Sequence, residues 1–176
     1  NTANIDRVAT SGTVRFTYST ATPSQVAETF TNNTVTLTNL SGTTIAQVFY
    51  SLGGIATTSK NISSNTISIS GANTGQTIGI ITGYAVGTIN SNNITINNSS
   101  TDPNGIWANQ TGAGALTITG NTLSLTSNNT APTGMIGISG GATGPFQIYS
   151  NTFSALNFTG IITTSPTVSG ISVSSG

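Results

Sequence analysis

Apolar and polar residues alternate in short runs along this chain, and the runs recur about every thirty residues. Asn33, Val35 and Leu37 interleave with Thr34, Thr36 and Thr38; Asn65, Ile67 and Ile69 with Thr66, Ser68 and Ser70. Asn92, Ile94 and Ile96 interleave with Asn93, Thr95 and Asn97; Asn121, Leu123 and Leu125 with Thr122, Ser124 and Thr126; Asn151 and Phe153 open a fifth run. A period of two is that of a strand with one buried face. Each run starts at an asparagine, at intervals of 32, 27, 29 and 30 residues, and an apolar residue stands three positions earlier: Phe30, Ile62, Ile89, Ile118 and Ile148. A further apolar run follows each, at residues 45–50, 78–81, 105–108, 135–138 and 160–162, with 170–173 beginning another turn. Three short strands per repeat are thus predicted, and a repeat of this length is the mark of a solenoid with one coil per repeat. Helix finds no support, because Thr, Ile, Val, Asn and Gly are weak helix formers.

The asparagine row has a physical reason. When coils stack at the usual strand spacing of about 4.8 Å, an inward amide at a bend donates to the amide on one side and accepts from the other. Its burial then costs little, since each polar group is satisfied by its copies. Asn33, Asn65, Asn92, Asn121 and Asn151 are expected to form such an inward ladder.

Residues 1–30 read as a divergent first coil, a cap or an edge, ahead of regular coils over 31–176. Ile5 falls where Phe30 and Ile62 fall later, but Val8 stands where an asparagine is expected. Val14, Phe16 and Tyr18 alternate with Thr13, Arg15 and Thr17 as in a half-buried strand.

Composition narrows the function more than the fold. Only 3% of residues are charged, namely Asp6, Arg7, Arg15, Glu28, Lys60 and Asp102, four of them in the first coil. Nucleic acid and anionic membranes are held by clustered Lys and Arg, which three scattered cations do not supply. Disorder is disfavoured, because disordered chains combine high net charge with few β-branched residues, the opposite of this sequence. Cysteine is absent, so no disulfide or thiolate site is available. No apolar run reaches the length of a membrane-spanning helix. The abrupt start at Asn1 suggests a processed or excised segment.

Phrases such as Asn-Thr-Ile-Ser-Ile-Ser at 65–70 and Gly-Ile-Ser-Val-Ser-Ser-Gly at 170–176 resemble the pectate-lyase-like solenoids, in particular long secreted bacterial surface proteins. The resemblance extends over 30–176 and implies an all-β, right-handed parallel β-helix of about six coils. That fold carries lyases, hydrolases, adhesins and passive stalks alike. Its enzymes use clustered carboxylates, or Arg and Lys with calcium, and glycoside hydrolysis needs two carboxyl groups within roughly 5–9.5 Å. Here Asp6 and Glu28 lie in the first coil, Asp102 stands in a turn before Pro103, and histidine is absent. Catalysis, a bound metal and a cofactor are therefore not expected.

Three readings of function remain. The first is a non-catalytic extracellular structural solenoid, a segment or subunit of a surface fibre, stalk or adhesin. Head-to-tail assembly would bring Ile5, Val8, Val14, Phe16 and Tyr18 against Ile171 and Val173, and a net charge of zero leaves little to repel a neighbour. The second is ice binding by an outward hydroxyl array: Thr34, Thr36, Thr38, Thr66, Ser68, Ser70, Thr95, Thr122, Ser124 and Thr126. The third is a carbohydrate-binding module, with surface polysaccharide as ligand and Trp107, Tyr50 or Tyr84 as platform. Trp107 is expected to point outward, either lying against a loop or meeting a sugar or a subunit.

Overall fold

A computed structural model describes residues 1–8, 10–20, 27–53, 59–83, 86–110, 114–142 and 145–175. The chain winds as a parallel β-solenoid with three strands per coil. Coil one holds β1 (Thr2–Asp6), β2 (Thr13–Ser19) and β3 (Glu28–Thr31); coil two holds β4 (Thr34–Leu40), β5 (Ile45–Ser51) and β6 (Ser59–Ser63). Coil three holds β7 (Thr66–Gly71), β8 (Thr77–Gly83) and β9 (Val86–Asn90), and coil four β10 (Asn93–Asn98), β11 (Pro103–Gln110) and β12 (Leu116–Thr119). Coil five holds β13 (Thr122–Ser127), β14 (Gly134–Ala142) and β15 (Phe146–Tyr149), and β16 (Thr152–Phe158) and β17 (Thr167–Ser175) begin a sixth. Sheet A runs β1-β4-β7-β10-β13-β16, sheet B β2-β5-β8-β11-β14-β17, and sheet C β3-β6-β9-β12-β15.

Inward residues of sheet A stack in two rows. Ala3, Val35, Ile67, Ile94, Leu123 and Phe153 form one, and Ile5, Leu37, Ile69, Ile96, Leu125 and Leu156 the other. The eight members from Val35 to Leu125 are fully buried, whereas Phe153 and Leu156 in the last coil are partly covered. The second row reaches Leu156 because the β13–β16 register shifts after Leu123, so that Ser124 faces Ala155.

Sheet B carries a bend that simple alternation did not anticipate. Val48 and Phe49 are both fully buried, while Tyr18 and Tyr50 stack outside the coil at 5.1 Å. Tyr18 is 61% exposed and so leaves the face of Val14 and Phe16. From coil three on, the first position of the inward pair is glycine: Gly79, Gly105, Gly137 and Gly170. A β-carbon on Gly105 would stand 2.1 Å from Leu123 Cδ2, and one on Gly137 2.3 Å from Phe153 Cε1. Large residues of sheet A fill the space that these glycines leave.

Ile5 pairs with Leu37, not with the Phe30 row, and the asparagine heading coil one is Asn1, whose Nδ2 donates to Asn33 Oδ1 at 3.1 Å. Residues 160–162 form no strand, and Ile161 is 87% exposed in the turn before β17. Residues 170–173 belong to β17, opposite β14, and thus to coil six itself.

Candidate functional site

The ladder is the most regular polar feature. Asn33, Asn65, Asn92 and Asn121 each send both the backbone N–H (3.0 Å) and Nδ2 (2.9 Å) to the Oδ1 of the next asparagine. Nδ2 also reaches back one coil to the carbonyl of the apolar residue three places before the preceding rung: Asn65 to Phe30, Asn92 to Ile62, Asn121 to Ile89, Asn151 to Ile118, at 2.8–2.9 Å. The recurring apolar-x-x-Asn spacing is therefore one corner, fastened by its amide. Just before each rung the backbone turns left-handed, at Asn32, Ser64, Ser91, Gly120 and Ser150. Such a turn is uncommon for residues with a β-carbon. The ladder has a direction: an inner rung accepts on its Asn1 side and donates on its Asn151 side.

Polar groups fill the corner between sheets A and B as well. Asn98 Nδ2 donates to Asn73 Oδ1 (3.2 Å) and Thr77 Oγ1 (2.8 Å), Asn73 Nδ2 to Thr44 O (3.1 Å), and Ser127 Oγ to Ser100 O (2.7 Å). In sequence these asparagines look like turn residues, and nothing in their spacing repeats strictly enough to show that they are inside.

The corner between sheets B and C holds a buried cation. Lys60 is 1% exposed, and its Nζ donates to the carbonyls of Ser51 (2.7 Å), Gly53 (2.7 Å) and Gly83 (2.9 Å), with Glu28 Oε2 at 3.7 Å. Glu28 in turn accepts from the hydroxyls of Ser19 and Ser51. Burial lowers the Lys60 ammonium from its ordinary 10.5 to about 8, against the opposing pull of Glu28. A lone lysine in a charge-poor sequence reads as a solvated surface group, and its interior place depends on coil contacts that spacing does not reveal.

Outside, sheet A presents the expected hydroxyl rows in register. Thr2, Thr34, Thr66, Asn93, Thr122 and Thr152 form an exposed row. Beside it run Asn4, Thr36, Ser68, Thr95, Ser124 and Ala155, and beyond that Ser70, Asn97, Thr126 and Asn157, with Asp6 opposite Thr38 at the coil-one end.

The outer face of sheet B differs. One row reads Tyr18, Tyr50, Ile81, Trp107, Ser139, Ser172, and its neighbour Arg15, Gln47, Ile78, Asn104, Ile136, Ser169. Arg15 donates from Nε to Gln47 Oε1 (2.8 Å), and its guanidinium lies 4.6 Å and 4.3 Å from the Tyr18 and Tyr50 ring centres. Ile78 and Ile81 are buried but stand outside the central core cluster, covered on this outer face. Beyond Trp107 the row drops to serine, and a cleft of about 360 Å³ opens there.

Of the residues assigned to an end-to-end contact, Ile171 and Val173 lie half-exposed on β17 and Val8 is 84% exposed. Ile5 and Phe16 pack on the core, and Val14 is buried within it. Tyr84 lies outside the described residues. Among the described residues no three His, Cys, Asp or Glu side chains group as metal ligands, and no helix is long and apolar enough to cross a membrane. Comparison with protein-family models, curated proteins and solved structures found no match.

Proposed function

We propose that this chain is a non-catalytic structural solenoid, a length of stalk or fibre at a cell surface that continues through its two end faces. The observation behind this reading is the direction of the asparagine ladder. An inner rung accepts at Oδ1 from one neighbour and donates to the other, so the Asn151 face offers a backbone N–H and the Asn1 face an amide oxygen. Among the described residues no further strand lies beside β16 and β17 at one end or β1 and β2 at the other, and open strand edges of this kind recruit further strands. A contact between unlike faces does not close on itself and builds a filament. The next coil can come from the same polypeptide or from a second copy, and either gives a rod of uniform section.

Electron micrographs of native material, paired with denaturing electrophoresis, test the proposal. Uniform fibres that dissolve to a 17.7 kDa band indicate stacked copies, and fibres giving a band of several hundred kDa indicate one continuous chain. Monodisperse particles of a single coil-stack length contradict it.

Ice binding is the second reading, favoured by the exposed row in which five of six members are threonine. The two rows beside it mix Ser, Asn and Ala into the threonines, and for that reason it ranks below the first.

A further inference from the structure

We propose that the cleft beside Trp107 binds a neutral polysaccharide laid along the solenoid axis. It spans four successive coils, from Gln76 in coil three to Ser174 in coil six, and its volume of about 360 Å³ lies within the range of roughly 300–1,000 Å³ typical of ligand sites. Trp107 forms an aromatic wall, and the outward row steps down from it to Ser139 and Ser172. Gly141 floors the cleft, and a β-carbon there would meet Asn109 Oδ1 at 3.6 Å and Ser174 Oγ at 3.7 Å, so two polar tips converge over a bare backbone.

The rim is a fixed set of planar polar groups. Gln76 Nε2 donates to Asp102 Oδ2 at 2.7 Å, and Asn104 Nδ2 to Asp102 Oδ1 at 2.8 Å. The carboxylate is thereby locked in orientation, and each of its oxygens retains acceptor capacity. A pyranose ring has an apolar C–H face and an equatorial edge of hydroxyls. The indole offers the first its flat apolar surface. Asp102, Asn109 and Ser174 offer the second its acceptors and donors, and hydrogen bonds to an ionised carboxylate are the stronger kind.

Charge selects among sugars. The chain's three cations, Arg7, Arg15 and Lys60, lie in coils one and two, away from the cleft, which contains Asp102. An acidic polysaccharide would meet this carboxylate with no cation beside it, and a nucleic acid would fare likewise. A neutral glycan meets no such penalty.

Trp107 is the chain's single tryptophan, so its fluorescence reports on the cleft alone. The protein is titrated with cellohexaose, mannohexaose and chitohexaose, with polygalacturonate as the acidic comparison, and checked by affinity electrophoresis. A saturable change in emission with at least one neutral hexasaccharide and none with polygalacturonate is expected. Trp107→Ala should weaken retardation at least tenfold and Asp102→Asn severalfold. Gly141→Val fills the cleft at a site where a β-carbon makes only ordinary contacts, and should abolish binding with thermal stability unchanged. The proposal is overturned if none of the neutral probes binds, if polygalacturonate binds better, or if folded Gly141→Val binds as well as the parent.

Discussion

Asn92 donates from Nδ2 to Asn121 Oδ1 at 2.9 Å while its own Oδ1 accepts from both the backbone and side-chain nitrogens of Asn65. An aspartate at 92 would keep the acceptor and lose both donors. Its carboxylate would face the Asn121 oxygen and the Ile62 carbonyl, now without hydrogens between them. Asn92→Asp should cost about 3–5 kcal/mol, the scale of an uncompensated buried charge. At the half-buried last rung, Asn151→Ala should cost about 1 kcal/mol. Equal effects in urea melts of the two variants would contradict a ladder whose inner rungs are buried.

Gly105 and Gly120 are glycine for different reasons. Gly105 is pressed against Leu123 Cδ2 and the carbonyl of Gly137, 2.1 and 2.6 Å from where a β-carbon would stand. Gly105→Ala should therefore cost about 3 kcal/mol, the upper end for overpacking, because both a core side chain and backbone stand in the way. At Gly120 a β-carbon would come no nearer than 3.7 Å to another atom, but φ is +64°. Gly120→Ala should cost about 1–2 kcal/mol, for left-handed backbone alone. Thermal melts of both variants check the order.

How much of this was legible in the sequence follows from what repeats. The corner fastened by Asn65, Asn92 and Asn121 recurs in one register with an isoleucine or phenylalanine three places ahead, so strand type, coil length and ladder could be read directly. Ile5 resembles Phe30 in kind and so invites a misaligned first coil, whose true marker, Asn1, precedes any apolar residue. Strict alternation puts Tyr18 on the face of Val14 and Phe16, but the sheet B strand turns two successive residues inward, as Val48 and Phe49 do, and so breaks the period of two. Lys60 and the Asn73–Asn98 pair stayed hidden because each occurs in only one or two coils. The cleft is half visible in sequence: alternation points Trp107 outward, but Gln76, Asn109 and Ser174 come beside it only when four coils stack.

Lys60 gives the fold a pH dependence. Its native value of about 8 lies below the ordinary 10.5, so between these values the unfolded chain holds more protons than the native one. Stability then rises with pH across that window. Melting temperature should increase from pH 7.5 to 9.5, by about 2–4 °C for each kcal/mol relieved. Lys60→Met should remove this slope. A flat profile in the parent protein would contradict the depressed lysine.

Sheet A should not act on ice. Its exposed threonine row is flanked by rows containing Asn4, Ser68, Ser124, Ala155 and Asn97. Nanolitre osmometry is expected to show negligible thermal hysteresis and no crystal shaping. Clear hysteresis lost in Thr36→Tyr or Thr95→Tyr would instead promote the ice-binding reading.

The continuation of the solenoid through its ends is tested most directly by a cross-link. Thr2 and Thr152 are the first and last members of one exposed row, and the chain has no cysteine of its own. If β16 of one copy pairs with β1 of the next, Thr2→Cys and Thr152→Cys in the same chain fall side by side across the joint, at a strand spacing of about 4.8 Å. Mild oxidation should then give a non-reducing ladder at multiples of 17.7 kDa, while either single variant stops at the dimer. A double variant that stays monomeric, or forms no more than the single variants do, would contradict assembly by stacked copies.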